Sequence, residues 1–453
     1  MAGLFSSLSM ASRSLEAQRA GLDTAGRNIA NLNTPGYARR RLELAEVVNG
    51  TGGVEVVGER SLRDAVLDAR VRTALAPEAR EGAVAGALAP VEIAIGAPGQ
   101  GLDSRLSAYF DAWSALAAEP SSPVVRDTVA LRGQQLASSF NDVAAQLAEA
   151  GRLADRGVRG AIGELNALTA QIASLNEAIA GGGSAGDVEA LRDRQQVALE
   201  ELTKLAAVSV VTRSDGGLDV MLPSGRPLVF GATASSVVAG TGANGYAALT
   251  LDGVTVTGEF TTGRIGGLTA ARDTYIPAYQ ARLDDLAYQV AQRVNTVHQT
   301  GTDLTGAAGG VFFTAPGAVA GAAAALSVSP AIVGNTARIA ASQTGAPGDN
   351  GTARAIVALR EAATVSGGTA TFTQGWAQLA FRAGADIDDA LSRQQTARDV
   401  SAEVQRLRDQ VSGVSLDEEA ASLIKFQTAY EANAKYFSAV DSALDTLMRL
   451  VGA

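Results

Sequence analysis

Five residues, Gly182-Gly-Ser184-Ala-Gly186, have the spacing of a hydrolase nucleophile elbow, in which a strained strand-to-helix turn lifts a serine toward its base. That chemistry needs a strand before the turn and a histidine nearby. Here the pattern leading into the glycines is helical, and the chain's single histidine, His298, falls late in a separate amphipathic stretch. The five residues therefore read as a flexible helix-to-helix connection. Gly240-Thr-Gly242-Ala-Asn-Gly245 has the spacing of a dinucleotide fingerprint, which works only when a following helix presents its N-terminus to a pyrophosphate. Ala247-Ala-Leu-Thr-Leu follows instead and alternates like a strand, so a glycine-rich hairpin loop is expected. One histidine and no cysteine supply no metal-ligand set, and disulfides and thiol catalysis are excluded as well. Glu418 and Glu419 follow Ser415, where acidic residues complement a helix N-terminus, and Ser415-Leu-Asp-Glu418 reads as a capping box. Asn49-Gly-Thr and Asn350-Gly-Thr are glycosylation-type triplets too common to weigh. No catalytic, metal or cofactor constellation emerges, and an enzyme is not expected.

The elements around these residues are more informative. Leu4, Leu8, Ala11, Leu15, Gln18, Leu22, Ala25 and Ile29 recur at steps of three and four. At the other end Leu423, Phe426, Tyr430, Asn433, Phe437, Val440, Leu444, Leu447 and Val451 do the same, which is a heptad seam. Chain ends usually fray, so two apolar stripes there imply partners, either each other or neighbouring subunits. Asn433 stands where an apolar residue would pack better; it either fixes register or faces solvent. Directly after the first stripe, Thr34-Pro35-Gly36-Tyr37 suits a type II turn: proline fixes φ at the second position and glycine supplies positive φ at the third.

The 453 residues exceed what a single core supports, so two to four domains are expected. Aromatics make up 5%, and alanine and glycine carry much of the apolar content, which predicts thin, helical cores. A net charge of −10 argues against nucleic-acid binding, and Arg39-Arg40-Arg41 is too short a run to change that. Residues 1–30 are amphipathic and interrupted by Arg13, Glu16, Arg19 and Asp23, unlike a cleavable signal peptide. No stretch is apolar enough to predict membrane insertion. The absence of cysteine suits export as an unfolded chain through a narrow channel, and equally suits compositional drift.

Leu102, Leu106, Phe110, Trp113 and Leu116 mark one helical face that stops at Pro120. Ser122-Pro123 restarts a helix carrying Val129, Leu136, Phe140, Val143 and Leu147. Ile162 to Ile179 and Val188 to Leu205 give two more, a series of helical hairpins. From Val208 the period changes to two, and turn signals divide residues 207–263 into short strands. Helix returns with Ile276, Leu283, Leu286, Val290 and Val297. Residues 301–375 are irregular, and Trp376 to Val411 read as a long helix with Ile387, Leu391, Val400, Val404, Leu407 and Val411 inward. The fold class is mainly α with an inserted small antiparallel β domain, an α+β multidomain chain, elongated, with N- and C-terminal helices paired at one pole. The expected division is a terminal helical assembly domain of 1–60 and 412–453, a helical wall of 61–206 and 264–411, and an outer β insert of 207–263.

Asn28-Ile-Ala-Asn31-Leu-Asn-Thr34-Pro35-Gly36-Tyr37 resembles the signature shared by rod, hook and hook-associated axial proteins of the bacterial flagellum. Ser412-Gly-Val-Ser-Leu-Asp-Glu-Glu419, the stretch Phe426 to Lys435 and Gly266-Gly-Leu-Thr-Ala-Ala-Arg-Asp273 narrow the resemblance to the hook-associated members at the hook–filament junction. Some relatives carry larger outer inserts than this chain's short middle. The resemblance implies a structural subunit exported by the flagellar type III apparatus and polymerised through its terminal helices. Implied partners are further copies of itself in a ring or helical array, hook protein, a second hook–filament junction protein, and an export chaperone at the C-terminal region. It implies a secreted location in the flagellum. A hook or distal-rod subunit would share both terminal signatures. A secreted hydrolase with a helical stalk would rest on Ser184 and His298 alone, and a cytoplasmic coiled-coil scaffold would never reach the culture fluid.

Overall fold

The structure, a computed structural model, describes residues 2–47, 53–96, 99, 101–183, 185–314 and 317–451. Ser184, the Asn49-Gly-Thr triplet and the side chain of Val451 lie outside what is described. Helix α1 (Ala2–Ala30) runs into the Thr34–Tyr37 turn and then an antiparallel hairpin, β1 (Arg40–Glu46) and β2 (Val54–Ser61), with Arg40 opposite Ser61. The hairpin corrects the expectation of a helical domain over residues 1–60, which placed a turn after the first helix but no strands. Leu42 and Leu44 alternate with charged residues in a single short run, too little to announce a strand pair on its own.

Asp64 caps α2 (Ala65–Ile95), its carboxylate accepting from the Val66 and Leu67 amides at 2.8 and 3.1 Å. Sequence periodicity does not reveal this helix, because Pro77 and Pro90 punctuate an alanine-rich stretch. Then come α3 (Leu102–Ala118) and α4 (Pro123–Ala180), a single 58-residue helix where the apolar rows suggest two. Glycines inside α4 let neighbours approach without breaking it: a Cβ at Gly151 would lie 2.5 Å from the Tyr246 hydroxyl oxygen. Ser122 sits at the N-cap but makes no side-chain capping bond.

Helix α5 (Ala185–Leu205) leads into the β insert, made of β3 (Ser209–Thr212), β4 (Leu218–Met221), β5 (Pro227–Phe230), β6 (Thr233–Ala234), β7 (Val237–Thr241), β8 (Ala247–Leu251) and β9 (Val254–Thr255). These form two antiparallel sheets, ordered β3-β4-β5-β6 and β7-β8-β9. Val220, Leu228, Val229 and Leu249 share one core with Val158, Ile162 and Leu165 of α4 and Leu202 of α5. Asn166 and Asn176 on α4 bond backbone groups of the strands, Asn166 both donating to Val237 O (2.8 Å) and accepting from its amide (2.9 Å).

Helix α6 (Gly263–Ala270), a π turn (Ala271–Tyr275) and α7 (Ile276–Gln299) form one continuous path. Residues 301–375 contribute β10 (Phe313–Thr314), α8 (Ala322–Ala325), β11 (Ser327–Val328), α9 (Pro330–Gly334) and α10 (Gly351–Ala358), with β10 and β11 paired. Two long helices follow, α11 (Phe372–Ser412) and α12 (Leu416–Val451). Helices α2 and α11 lie along each other, as do α1 and α12.

The main core is not uniformly thin. The few aromatics gather in it: Tyr109, Phe110, Trp113, Phe312, Phe313 and Phe372 are all fully buried. Their ring centroids lie as close as 4.9 Å, between Phe312 and Phe313. His298 closes this cluster. Its Nδ1 faces Gly310 O at 2.7 Å and its Nε2 accepts from the Ala340 amide at 2.8 Å, so the neutral ring stitches the irregular segment to α7. On α11, Ile387 is buried as expected, but Leu391, Val400, Leu407 and Val411 are exposed. Their partial exposure reflects which stripe of α11 its neighbours cover, and periodicity alone does not supply those neighbours. No helix among the described residues is long and apolar enough to cross a membrane.

Candidate assembly site at the joined termini

Among the described residues α12 packs along α1, and the meeting surfaces are unequal. On α12 the large side chains Leu423, Phe426, Phe437, Val440 and Leu444 line the contact, Val440 and Leu444 being buried and the others half-buried. Asn433 is half-buried on the same line, and Tyr430 and Leu447 remain exposed. On α1 the fully buried positions are Ala11, Ala17, Gly21, Thr24, Ala25 and Asn28, whereas the expected row of Leu4, Leu8, Leu15, Leu22 and Ile29 is only half-buried. The reason is visible at Gly21, where a Cβ would lie 2.5 Å from Phe426 Cε1. Small residues on α1 admit the rings of α12, so the leucine row is rotated partly away.

Asn28 is the hub. It is 1% exposed and uses every hydrogen-bonding position of its amide. Its Oδ1 accepts from the Arg40 amide (3.0 Å) and the Tyr37 hydroxyl (2.8 Å). Its Nδ2 donates to Arg40 O (2.9 Å) and to Glu419 Oε2 (3.0 Å) on α12. One side chain thus ties α1, the turn, β1 and α12 together. Asn31 and Thr34 build the approach: Asn31 Nδ2 donates to Arg27 O at 2.9 Å, and the Thr34 hydroxyl donates to Asn31 Oδ1 at 3.1 Å.

The turn itself is pressed on α5. Gly36 has φ +77°, and the Tyr37 amide donates to Thr34 O at 3.2 Å across Pro35. A Cβ at Gly36 would overlap the Val197 Cγ2 methyl and lie 3.0 Å from Asp193 O, so both the backbone angle and the space demand glycine. Asp193 also receives Arg40 Nη2 at 3.1 Å and pairs with Arg63, whose Nη2 donates to Gly36 O at 2.6 Å. The Arg40 guanidinium lies over the Tyr37 ring, 5.1 Å from its centroid. Burial raises the Tyr37 phenol above its ordinary range, which keeps the proton that it donates to Asn28.

The Arg39–Arg41 run, in sequence only a weak basic patch, has different partners at alternate positions of an extended segment. Arg39 pairs with Glu418 and with Glu419 (2.7 Å), and its amide donates to Ser412 O at 2.8 Å. Arg40 points to Asp193, and Arg41 is exposed. Glu418 is engaged by Arg39, so the two acidic residues serve the joint between termini more than the helix cap. Nothing in the sequence pairs residue 40 with residue 193; that juxtaposition depends on how α5 packs. The Gly240–Gly245 segment is the tip of the β7–β8 hairpin, followed by a strand. Among the described residues no group of three or more His, Cys, Asp or Glu side chains could hold a metal ion.

Residues 88–313 match the family described as flagellar hook-associated protein FlgK helical domain. Residues 8–37 and 409–450, the two halves of the joint, match flagella basal body rod protein and flagellar basal body rod FlgEFG protein C-terminal. The chain belongs to the flagellar hook-associated protein family. It is 26% identical to flagellar hook-associated protein 1 of Bacillus subtilis, covering 100% of this chain and 99% of the relative, and 23% identical to the Escherichia coli protein of that name, covering 96% and 98%. The flagellar hook junction protein FlgK from Burkholderia pseudomallei has the same fold, with a TM-score of 0.67 at 17% identity over 76% of this chain and 100% of that one. As a hook-associated family member this chain is a structural component of the flagellum, and the joint above is built from the segments that such subunits share with rod proteins.

Proposed function

We propose that the chain is the subunit that joins hook to filament, exported by the flagellar type III apparatus and assembled through its terminal helices. The observation that carries this reading is the full-length relationship to hook-associated protein 1 together with a rod-type joint at residues 8–37 and 409–450. Residues 1–60 and 412–453 form the assembly domain, residues 61–206 and 264–411 the wall, and residues 207–263 the outer surface. The half-buried row Leu4, Leu8, Leu15, Leu22 and Ile29 and the exposed Tyr430 and Leu447 are the contacts offered to neighbouring copies. Hook protein lies on one side and a second junction protein on the other, with an export chaperone holding the C-terminal region before secretion.

The test is electron microscopy of a strain lacking the chain, with the culture fluid assayed for filament protein. Hooks without filaments, and filament protein shed to the medium, are expected. Missing hooks would move the assignment to rod or hook, and normal flagella would overturn it.

A further inference from the structure

The helical wall carries two unpartnered apolar features of opposite shape. One is a groove of about 960 Å³ between α2, α4 and α6, bordered by the end of α5 and by Gln394 and Gln405 of α11 and floored by Leu75, Leu153, Leu168 and Leu268, with Leu153 46% exposed. Along α2 it runs from Leu75 to Pro90. That is a length of roughly 22 Å, at about 1.5 Å of rise per residue. Of the three glutamates on its margin, Glu164 and Glu201 pair with Arg264 and Lys204 of the same margin, which leaves the charge of Glu78 uncompensated. The other feature is a ridge on α11, where Val400 and Val411 are each 51% exposed and Leu407 lies between them on the same face. It spans about 16 Å of helix. At its end Val411 lines a cleft with Leu44 and the 65% exposed Val57 of the hairpin, where the apolar row gives way to charged residues, Arg41, Glu43, Arg60 and Asp64 among them. The exposed Arg41 flanks that end.

We infer that the α11 ridge of one copy seats in the α2–α4 groove of the next, so that the wall supplies a second, head-to-tail interface besides the terminal helices. Length and shape agree: a convex apolar row of about 16 Å meets a concave one of about 22 Å. Glu78 in the groove and Arg41 at the ridge end are of opposite sign, neither with an ion-pair partner among the described residues, and the ridge ends beside the hairpin of the terminal joint. Contiguous exposed apolar surface of this kind marks an interaction site. The ridge lies on a face of α11 different from the one, with Gln394 and Gln405, that borders the groove, so each copy presents two distinct surfaces and the contact is heterologous, generating a ring or a helix. The inference rests on the self-assembly proposed above.

The chain has no cysteine, so an engineered pair reports the contact directly. Helices α2 and α11 are antiparallel: Gly82 lies against Gln394, and Ala65 shares a cleft with Val411. Gly86 is therefore level with residue 390, and Leu407 in the same chain is about 25 Å further along, too far for a disulfide, which needs Cα atoms within about 7 Å. Nothing lies within 4 Å of a Cβ built at Gly86, so cysteine fits there. Flagella purified from a strain carrying Gly86→Cys with Leu407→Cys, oxidised with copper phenanthroline, should give a ladder of multiples of this chain. Each single variant should give monomer only. Monomer alone from the double variant, in flagella that contain the chain at the junction, overturns the inference and leaves the proposed function standing; so does a cross-link to a different protein. Absence of the chain from flagella would instead refute the proposed function. Val400→Glu, at an exposed position, should keep the melting temperature of the purified chain and lower its incorporation about tenfold or more by placing a charge in the apolar groove. Unchanged incorporation would also overturn the inference.

Discussion

Replacing Gly36 with alanine tests the joint at its tightest point. Two costs are separable. The backbone at this position has φ +77°. Holding a residue with a Cβ in that left-handed region costs about 1–2 kcal/mol. The new Cβ would also overlap Val197 Cγ2. Such overpacking costs about 1–3 kcal/mol. The sum, about 2–5 kcal/mol, is a large part of what holds one segment in place. Hydrogen exchange at the Arg40 amide reads it, because that amide is closed by Asn28 Oδ1 and reports opening of the joint. At about 1.4 kcal/mol per tenfold, exchange should speed up by about 30-fold to a few thousand-fold. Val197→Ala removes the clashing methyl, so the double variant should regain the overpacking share and keep the φ share, a coupling of about 1–3 kcal/mol in the double-mutant cycle. If Gly36→Ala exchanged like the parent, or if Val197→Ala restored nothing, the turn would not be pressed against α5 as described.

Asn28→Ala leaves the Tyr37 hydroxyl, both Arg40 backbone groups and one Glu419 oxygen without this partner. With about 1–3 kcal/mol for each buried group left unsatisfied, a loss of about 3 kcal/mol or more in local stability is expected, against less than about 0.5 kcal/mol for the half-buried Asn433→Ala. Proteolysis or exchange of α1 and α12 measures both, and equal effects would count against the hub. Phe437→Ala should keep the melting of the wall and β insert but abolish incorporation at the junction, visible by microscopy as hooks without filaments. For pH, burial holds the His298 imidazole below its ordinary value, so on acidification the unfolded chain takes up the proton first. Its contribution is complete above about pH 6.5 and is lost as pH falls below that value, by at most about 1.4 kcal/mol per pH unit. Urea midpoints between about pH 5 and 7 should show this slope in the parent and lack it in His298→Gln; the same slope in both would remove histidine as its source.

The heptad line on α12 is legible in part, because Leu423, Phe426, Phe437, Val440 and Leu444 are large, apolar and at least half-buried, whereas Tyr430 and Leu447 stay exposed. On α1 the same spacing is only partly informative: Ala11 and Ala25 of that row are buried and its leucines half-buried, while Ala17, Gly21, Thr24 and Asn28 are buried outside it, and their smallness carries no hydrophobic weight. The β insert announces itself through alternation and turn residues, as local interactions do. The single helix α4 does not, because its glycines look like breaks until Tyr246 and the strands that need the room are in place. The turn at residues 34–37 is readable from proline and glycine alone, but its anchoring by Asp193 is not, for Arg40 and Asp193 stand 153 positions apart. The inward row expected on α11 fails for a similar reason. Periodicity says that a helix has a stripe, and only its neighbours say which stripe is covered.

The most direct test of the central claim is the position of this chain in the intact organelle. Cryo-electron tomography of flagella carrying a compact tag in the exposed β7–β8 hairpin tip should show tag density as a single short band between the distal end of the hook and the first filament subunits. Density along the hook, in the rod, or spread along the filament would contradict a junction role.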